Sequence, residues 1–284
     1  MPKKKLQKIK EQKDYKIYGV RKVDDFPKID RELPRPLETM LEKGGGCLCL
    51  FAPPGSGKSN FISNLLLRDD FFKDLFQGGL YIVSPTILND LTSCHLKDYA
   101  DFVETQYTEE LAEGLFNMLM EIPNEEKSLN CLLFDDCMGS FKQQSIQNRI
   151  VSTCRHNRSL VIYSLQAIKG GLPSNLRANM SHTIIFYQPS SKQLADVVEL
   201  HSLMGGEENF LQCYNEATSV KYGFLLCDFR DMKVYKWGGD TIEPELLWSR
   251  YDENGDIIKQ ETQSMGDIKT NNKSNVKDGI KETE

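Results

Sequence analysis

The chain has 284 residues, of which 39% are hydrophobic, and 35 basic residues face 41 acidic ones for a net charge of −6. That length holds one large α/β domain with tails or two small ones, and the acidic balance does not advertise a nucleic-acid binder. No stretch approaches the roughly 18 apolar residues of a membrane span and no signal-peptide pattern opens the chain, so a protein that is not itself transmembrane is expected.

Residues 1–40 read as a basic and polar N-terminal arm. Lys3, Lys4, Lys5, Lys8, Lys10 and Lys13 stand against the single acid Glu11, and Pro27, Pro34 and Pro36 follow. Such an arm suits nucleic-acid binding or a nuclear address, and equally a solvated tail.

Residues 41–250 read as the domain. An apolar run at 47–51 leads into Ala52-Pro53-Pro54-Gly55-Ser56-Gly57-Lys58-Ser59, and Phe61, Ile62, Leu65 and Leu66 follow at helical spacing. A buried strand, a tight glycine turn and a helix N-terminus make a phosphate site, because backbone N–H groups and the helix dipole both favour an anion. Pro54, Gly55, Ser56, Gly57, Lys58, Ser59 and Asn60 are therefore expected to hold a nucleoside triphosphate. In this pattern Lys58 reaches the outer phosphates and Ser59 places its hydroxyl on a magnesium ion. A plain turn of the same composition is the alternative.

Further strands are expected at 80–84, 101–104, 131–135, 160–164 and 183–186, with helices near 58–68, 108–121, 143–157 and 190–204. Continuous apolar strands alternating with helices imply a mainly parallel sheet covered on both faces. Residues 222–228 and 233–237 read as a closing antiparallel hairpin with a turn around Arg230-Asp231. Residues 251–284 are polar with few apolar side chains and read as a disordered tail. No internal repeat is evident.

The apolar run Cys131-Leu132-Leu133-Phe134 ends in Asp135-Asp136. A phosphate loop needs an acid beside it to hold the metal, which fits Asp135, and an acceptor for the attacking water, which fits Asp136. The same pair could simply cap the next helix. The run 160–165 ends in Gln166, and in a parallel sheet ligands sit at the carboxyl ends of the strands. An amide there can donate to phosphate and accept from water; a Gln after a strand can also be an ordinary loop residue.

Arg149, Arg155, Arg158 and Arg177 cluster in this half of the sequence. An arginine from a neighbouring subunit can stabilise transition-state charge, and Arg155 is favoured over Arg158 and Arg177; a lone arginine is otherwise a surface ion-pair partner. Lys169-Gly170-Gly171 through Arg177 suits a mobile phosphate-touching loop or a plain solvent loop. The eight cysteines form no metal-ligand spacing, several sit in apolar strands, and Cys154 and His156 lack a third partner, so reduced, structural thiols are expected.

Taken in order, GSGKSNF (55–61), LLFDD (132–136), TCRHNR (153–158), YSLQ (163–166) and LPSNLRANMSH (172–182) resemble the genome-packaging ATPases of nucleocytoplasmic large DNA viruses, the poxvirus-type branch of the HerA/FtsK superfamily. The resemblance covers about 50–187 and weakens towards about 240. It implies a RecA-like P-loop NTPase core that uses ATP and Mg2+ and works as a pentameric or hexameric ring. It implies double-stranded DNA as the substrate driven into a preformed capsid, a capsid or membrane-associated assembly partner, and a place in the host cytoplasm at a viral factory, in the nucleus or in the virion. Family roles fall on Lys58, Ser59, Asp135, Asp136 and Gln166, and Arg155 matches the basic run. Two departures stand out: Ala52 replaces the loop's first glycine, and Asp136 stands where many relatives carry Glu. A helicase or recombination motor on the same core, or a nucleotide-dependent assembly scaffold, are the competing functions.

Overall fold

The computed structural model describes residues 29, 31–123, 126–137, 139–141, 145–168 and 174–258. The lysine-rich start of the arm, the glycines at 170 and 171 and most of the polar tail lie outside the described residues.

Among the described residues, nine strands form one sheet. In chain order the elements are α1 (Arg35–Leu41), β1 (Cys47–Phe51), α2 (Lys58–Leu67), β2 (Gly79–Val83), β3 (Phe102–Glu104), α3 (Glu109–Glu121), β4 (Asn130–Asp135), α4 (Gln147–Thr153), β5 (Ser159–Leu165), α5 (Ser174–Arg177), β6 (His182–Phe186), α6 (Ser191–His201), α7 (Glu207–Ala217), β7 (Gly223–Asp228), β8 (Lys233–Gly238) and β9 (Thr241–Ser249). The strands lie in the order β3-β2-β4-β5-β1-β6-β7-β8-β9. The first six run parallel, and β7, β8 and β9 add an antiparallel flank. The architecture is α/β, as the alternation of apolar runs and helical segments predicts.

All five residues of β1 are buried, and its side chains divide by the two-residue strand period. Cys47, Cys49 and Phe51 enter a cluster with Phe116 of α3, Ile150 of α4 and Tyr214 of α7. Leu48 and Leu50 enter another with Leu37 and Met40 of α1 and Ile62 and Leu65 of α2. A strand buried on both faces must be apolar throughout, which is why these runs do not alternate.

Several elements depart from the sequence reading. The arm does not extend to residue 40, because Arg35–Leu41 is a helix with Leu37 and Met40 fully buried. Pro34 and Pro36 fall at its cap and first turn, where a missing N–H costs nothing, so these prolines start a helix rather than mark a linker. The expected helix at 143–157 is confined to Gln147–Thr153, and a turn carries the chain on to β5. Helix α7 and strand β9 are additions. β9 contains Pro244, which an edge strand tolerates because its N–H side can face solvent.

Seven of the eight cysteines are buried and all are unpaired. Burial pushes the Cys137 and Cys154 thiols up to about 12, so they rest as small hydrophobes. Among the described residues no helix is long and apolar enough to cross a membrane. The chain up to Arg250 makes one compact unit; beyond it, Tyr251 and Ile257 pair across a short antiparallel bridge.

Candidate nucleotide site

β5 lies between β1 and β4, so the carboxyl ends of three adjacent parallel strands present the glycine turn, Gln166 and the Asp135-Asp136 pair to one place. Ala52 N–H donates to Leu165 O at 2.9 Å, which carries the pairing of β1 and β5 past the end of the strand. The chain then turns through Gly55 (φ 76°) and Gly57 (φ 100°), both in the left-handed region that glycine occupies without strain. Gly57 caps α2 and supplies no side chain to its first turn. The first N–H groups of any helix lack intrahelical acceptors, so those of α2 are available to an anion at the loop.

Lys58 Nζ stands 2.5 Å from Asp136 Oδ1 and 3.5 Å from Asp135 Oδ1. Asp135 is buried, and its other oxygen accepts from Ser84 Oγ at 3.1 Å. Asp136 adopts φ 49°, a conformation an Asp tolerates better than a bulky residue would, and this turn carries its carboxylate back towards Lys58. The lysine therefore bridges the glycine loop to the acids over a sequence separation of 78 residues.

Three buried oxygens in this region have no hydrogen-bond partner among the described residues: Ser56 Oγ in the loop, Asp135 Oδ1, and Ser164 Oγ, which pairs in register with Asp135. Buried polar atoms left unmatched are costly, and they concentrate where a ligand or ion completes the set. The donors here are hydroxyl and carboxylate oxygens, the set a hard divalent cation such as Mg2+ takes. Asp135 and Ser59 thus fit a magnesium ion, and the loop fits the phosphates it would bridge.

Asp90 is the residue the sequence reading missed. It takes a hydrogen bond from the Ser59 hydroxyl, and it also accepts from Thr92 N–H at 3.0 Å and Ser93 Oγ at 2.8 Å. Partial burial pushes its carboxyl up, but these donors outweigh that and hold it below the usual carboxylate range. The local Asp-x-Thr-Ser pattern marks a turn. Only the packed structure brings that turn to Ser59.

The other predicted residues divide. Gln166 is exposed and lines the same cavity as Lys58 and Asp136. Asn60 also lines it, with its side-chain oxygen accepting from Asn64 Nδ2 at 2.7 Å. Arg155 sits in the turn that precedes β5, at the amino ends of the parallel strands and so at the end of the sheet remote from the chain's own Lys58. Arg158 donates to Lys127 O, and Arg149 stacks 4.5 Å from the Phe116 ring centre and pairs with Glu113 at 3.7 Å. Arg177 lies in α5, with its Nε buried and unmatched among the described residues.

A cavity of about 940 Å³ opens above the glycine loop and runs along α2 past Asn60, Asn64 and Arg68. Its far wall comes from Tyr222, Phe224, Trp237, Gly238, Gly239 and Ile242.

No family model matches the chain, and no curated protein matches it in sequence. Solved structures do match. The genome packaging NTPase B204 from Sulfolobus turreted icosahedral virus 2, in complex with AMP, superposes with a TM-score of 0.51 at 15% identity over 69% of this chain and 98% of that one. The DNA-packaging ATPase B204 from Sulfolobus Turreted Icosahedral Virus gives 0.50 at 14% identity over 68% and 97%. The fold is that of a P-loop ATPase. At such identities the likeness speaks to architecture alone, and the site must be argued from its own residues.

Proposed function

We propose that this chain is an ATPase of the HerA/FtsK type that translocates double-stranded DNA, and that it packages a viral genome into a preformed capsid. The observation that carries the enzymatic part is the meeting of Lys58 with Asp135 and Asp136 beside the buried, unmatched hydroxyls of Ser56 and Ser164, at the carboxyl ends of parallel strands. The packaging part is supported by the motif order in the sequence and by the fold shared with two proteins named as packaging ATPases, nearly the whole of each being covered.

In this mechanism Lys58 exchanges Asp136 for the outer phosphate oxygens. That exchange frees the Asp136 carboxylate to accept a hydrogen bond from the attacking water, a role that depends on reach as well as on charge. Asp135 and Ser59 would hold a magnesium ion, which would neutralise charge on the phosphates. Gln166 donates to the outer phosphate and accepts from the water. Arg155, remote from its own Lys58, acts across a subunit boundary on a neighbour's site in a pentameric or hexameric ring, with Arg177 as its rival. DNA contacts fall to the segment 169–177 and the lysine-rich arm. The partners are a capsid or membrane-associated assembly, and the setting is a viral factory in the host cytoplasm, the nucleus or the virion.

The test is steady-state ATP hydrolysis with and without linear duplex DNA, for wild type and Lys58→Ala. The proposal predicts turnover that duplex stimulates and the substitution abolishes. Stimulation by single strands alone would instead favour a helicase. Nucleotide binding with no turnover under any DNA would favour an assembly scaffold.

A further inference from the structure

The cavity continues well beyond the phosphate loop, and its second half differs in character from the first. Near Lys58 the lining is mostly glycine, hydroxyl and carboxylate; beyond Asn60 it carries Asn64 and Arg68 along α2 and an aromatic and aliphatic wall from Tyr222, Phe224, Trp237 and Ile242. Small-molecule sites are built in this way, with an apolar enclosure and a few placed polar groups. Resting on the nucleotide reading above, we propose that Tyr222 and Ile242 form a base-binding subsite that stacks the purine ring of the bound nucleotide.

Tyr222 stands where a nucleoside would leave the phosphate loop. A Cβ on Gly57 would meet its ring at 3.2 Å, so the ring lies against the last residue before α2. Tyr222 is 51% exposed, whereas the strand it leads into is buried from Gly223 onward. Its backbone is held at φ 66°, a costly conformation for an aromatic residue, and the turn is closed by Gly223 N–H donating to Val220 O at 3.1 Å. The Lys221 ammonium lies 4.9 Å from the ring centre, and the ring otherwise stands half in water on the cavity wall.

Beside it, the β8–β9 turn is fixed just as firmly. Trp237 Nε1 donates to Ile242 O at 3.0 Å, which pins the residue whose side chain is 88% exposed. Gly238 and Gly239 let this turn close on the Tyr222 segment: a Cβ on Gly238 would strike Tyr222 O at 2.6 Å, and one on Gly239 would strike Val220 Cγ2 at 2.6 Å. The two glycines therefore let the turns pack closely against each other, and each turn offers an apolar group on the shared cavity. The polar complement is the amide of Asn60, from the first turn of α2. A flat aromatic ligand attached to phosphates fits this arrangement; inorganic phosphate alone would leave it unused.

The experiment measures dissociation constants for ATP, GTP and inorganic tripolyphosphate, each with Mg2+, on wild type, Tyr222→Asn, Tyr222→Phe and Ile242→Ser. Asn accepts the left-handed backbone and removes the ring. The subsite predicts that Tyr222→Asn weakens ATP or GTP binding at least about tenfold, the scale of losing a base–aromatic stack. Tyr222→Phe should keep that affinity, Ile242→Ser should lower it by a smaller factor, and tripolyphosphate should bind all four proteins alike. Unchanged nucleotide affinity in both Tyr222→Asn and Ile242→Ser would overturn the subsite. Equal weakening of tripolyphosphate and nucleotide would also overturn it, since Tyr222 would then act only by shaping the Gly57 turn. If wild type binds none of the three ligands, the nucleotide reading itself falls and the subsite with it.

Discussion

The two ends of the parallel sheet use the same chemical groups for opposite purposes. At the carboxyl end, Lys58 is shared between two carboxylates, and hydroxyl and carboxylate oxygens nearby lie buried without hydrogen-bond partners. At the amino end, the buried Thr39 hydroxyl donates to Asp228 Oδ2 at 2.8 Å and accepts from His182 Nε2 at 2.9 Å. Arg230 there donates to the carbonyls of Thr39, Glu42 and Gly45, tying α1 and the approach to β1 onto the β7–β8 turn. Burial alone would raise the Asp228 carboxyl, yet the hydrogen bonds from His182, Thr39 and the Asp231 amide hold it at about 2. The carboxyl-end site is left able to exchange partners, and the Thr39–Asp228–Arg230 cluster at the amino end is closed by them. Binding and turnover should belong to the first and stability to the second.

The sharpest break between the ends is Asp136→Asn. It keeps the left-handed turn and removes the acceptor charge, so turnover should fall on the order of 100-fold or more while the melting temperature stays near that of wild type. Arg230→Met should do the reverse. Three carbonyls lose a charged donor, and unfolding titrations should show a loss of about 3 kcal/mol, with turnover per folded molecule unchanged.

Acid sharpens the comparison from another side. His201 on α6 is fully buried, takes a hydrogen bond at Nε2 from Thr183 of β6, and donates from Nδ1 to Val197 O. Burial holds its pKa at about 4, down from 6.5. The unfolded chain therefore binds a proton in the window where the folded chain does not. Stability from this group is full above pH 6.5 and is lost as the pH falls to 4, a decline of about 3 kcal/mol. Chemical denaturation across that range should show the slope, and His201→Gln should flatten it. The smallest effect belongs to Thr39→Val, which leaves Asp228 one donor short. A loss of about 2 kcal/mol is expected in the same titration, with nucleotide affinity unaffected.

The carboxyl end was more legible in the sequence than the amino end, and the reason is local. A glycine loop between an apolar strand and a helix, and a second apolar strand ending in Asp135-Asp136, announce themselves in a few consecutive residues, so Lys58 and both acids could be named from the chain alone. Asp90 and Tyr222 could not. Each sits in a turn whose local signal says only that the chain reverses, and each meets the loop only through contacts made across the fold. The amino-end cluster was hidden for the same reason: Thr39 and Asp228 are 189 residues apart. Helix α1 was masked further by prolines that mark a helix start as readily as a linker. Arg155 shows the reverse case. Its basic run was legible, but only the parallel course of β5 places it at the end remote from its own phosphate loop.

The most direct test of the division is the affinity for MgATP of wild type, Lys58→Ala and Arg230→Met, read by titration calorimetry under conditions where all three are folded. The account predicts that Lys58→Ala loses binding by more than about tenfold, the loss of a charged phosphate contact, while Arg230→Met binds as wild type does. Undiminished binding by Lys58→Ala, or an equal loss in Arg230→Met, would contradict it.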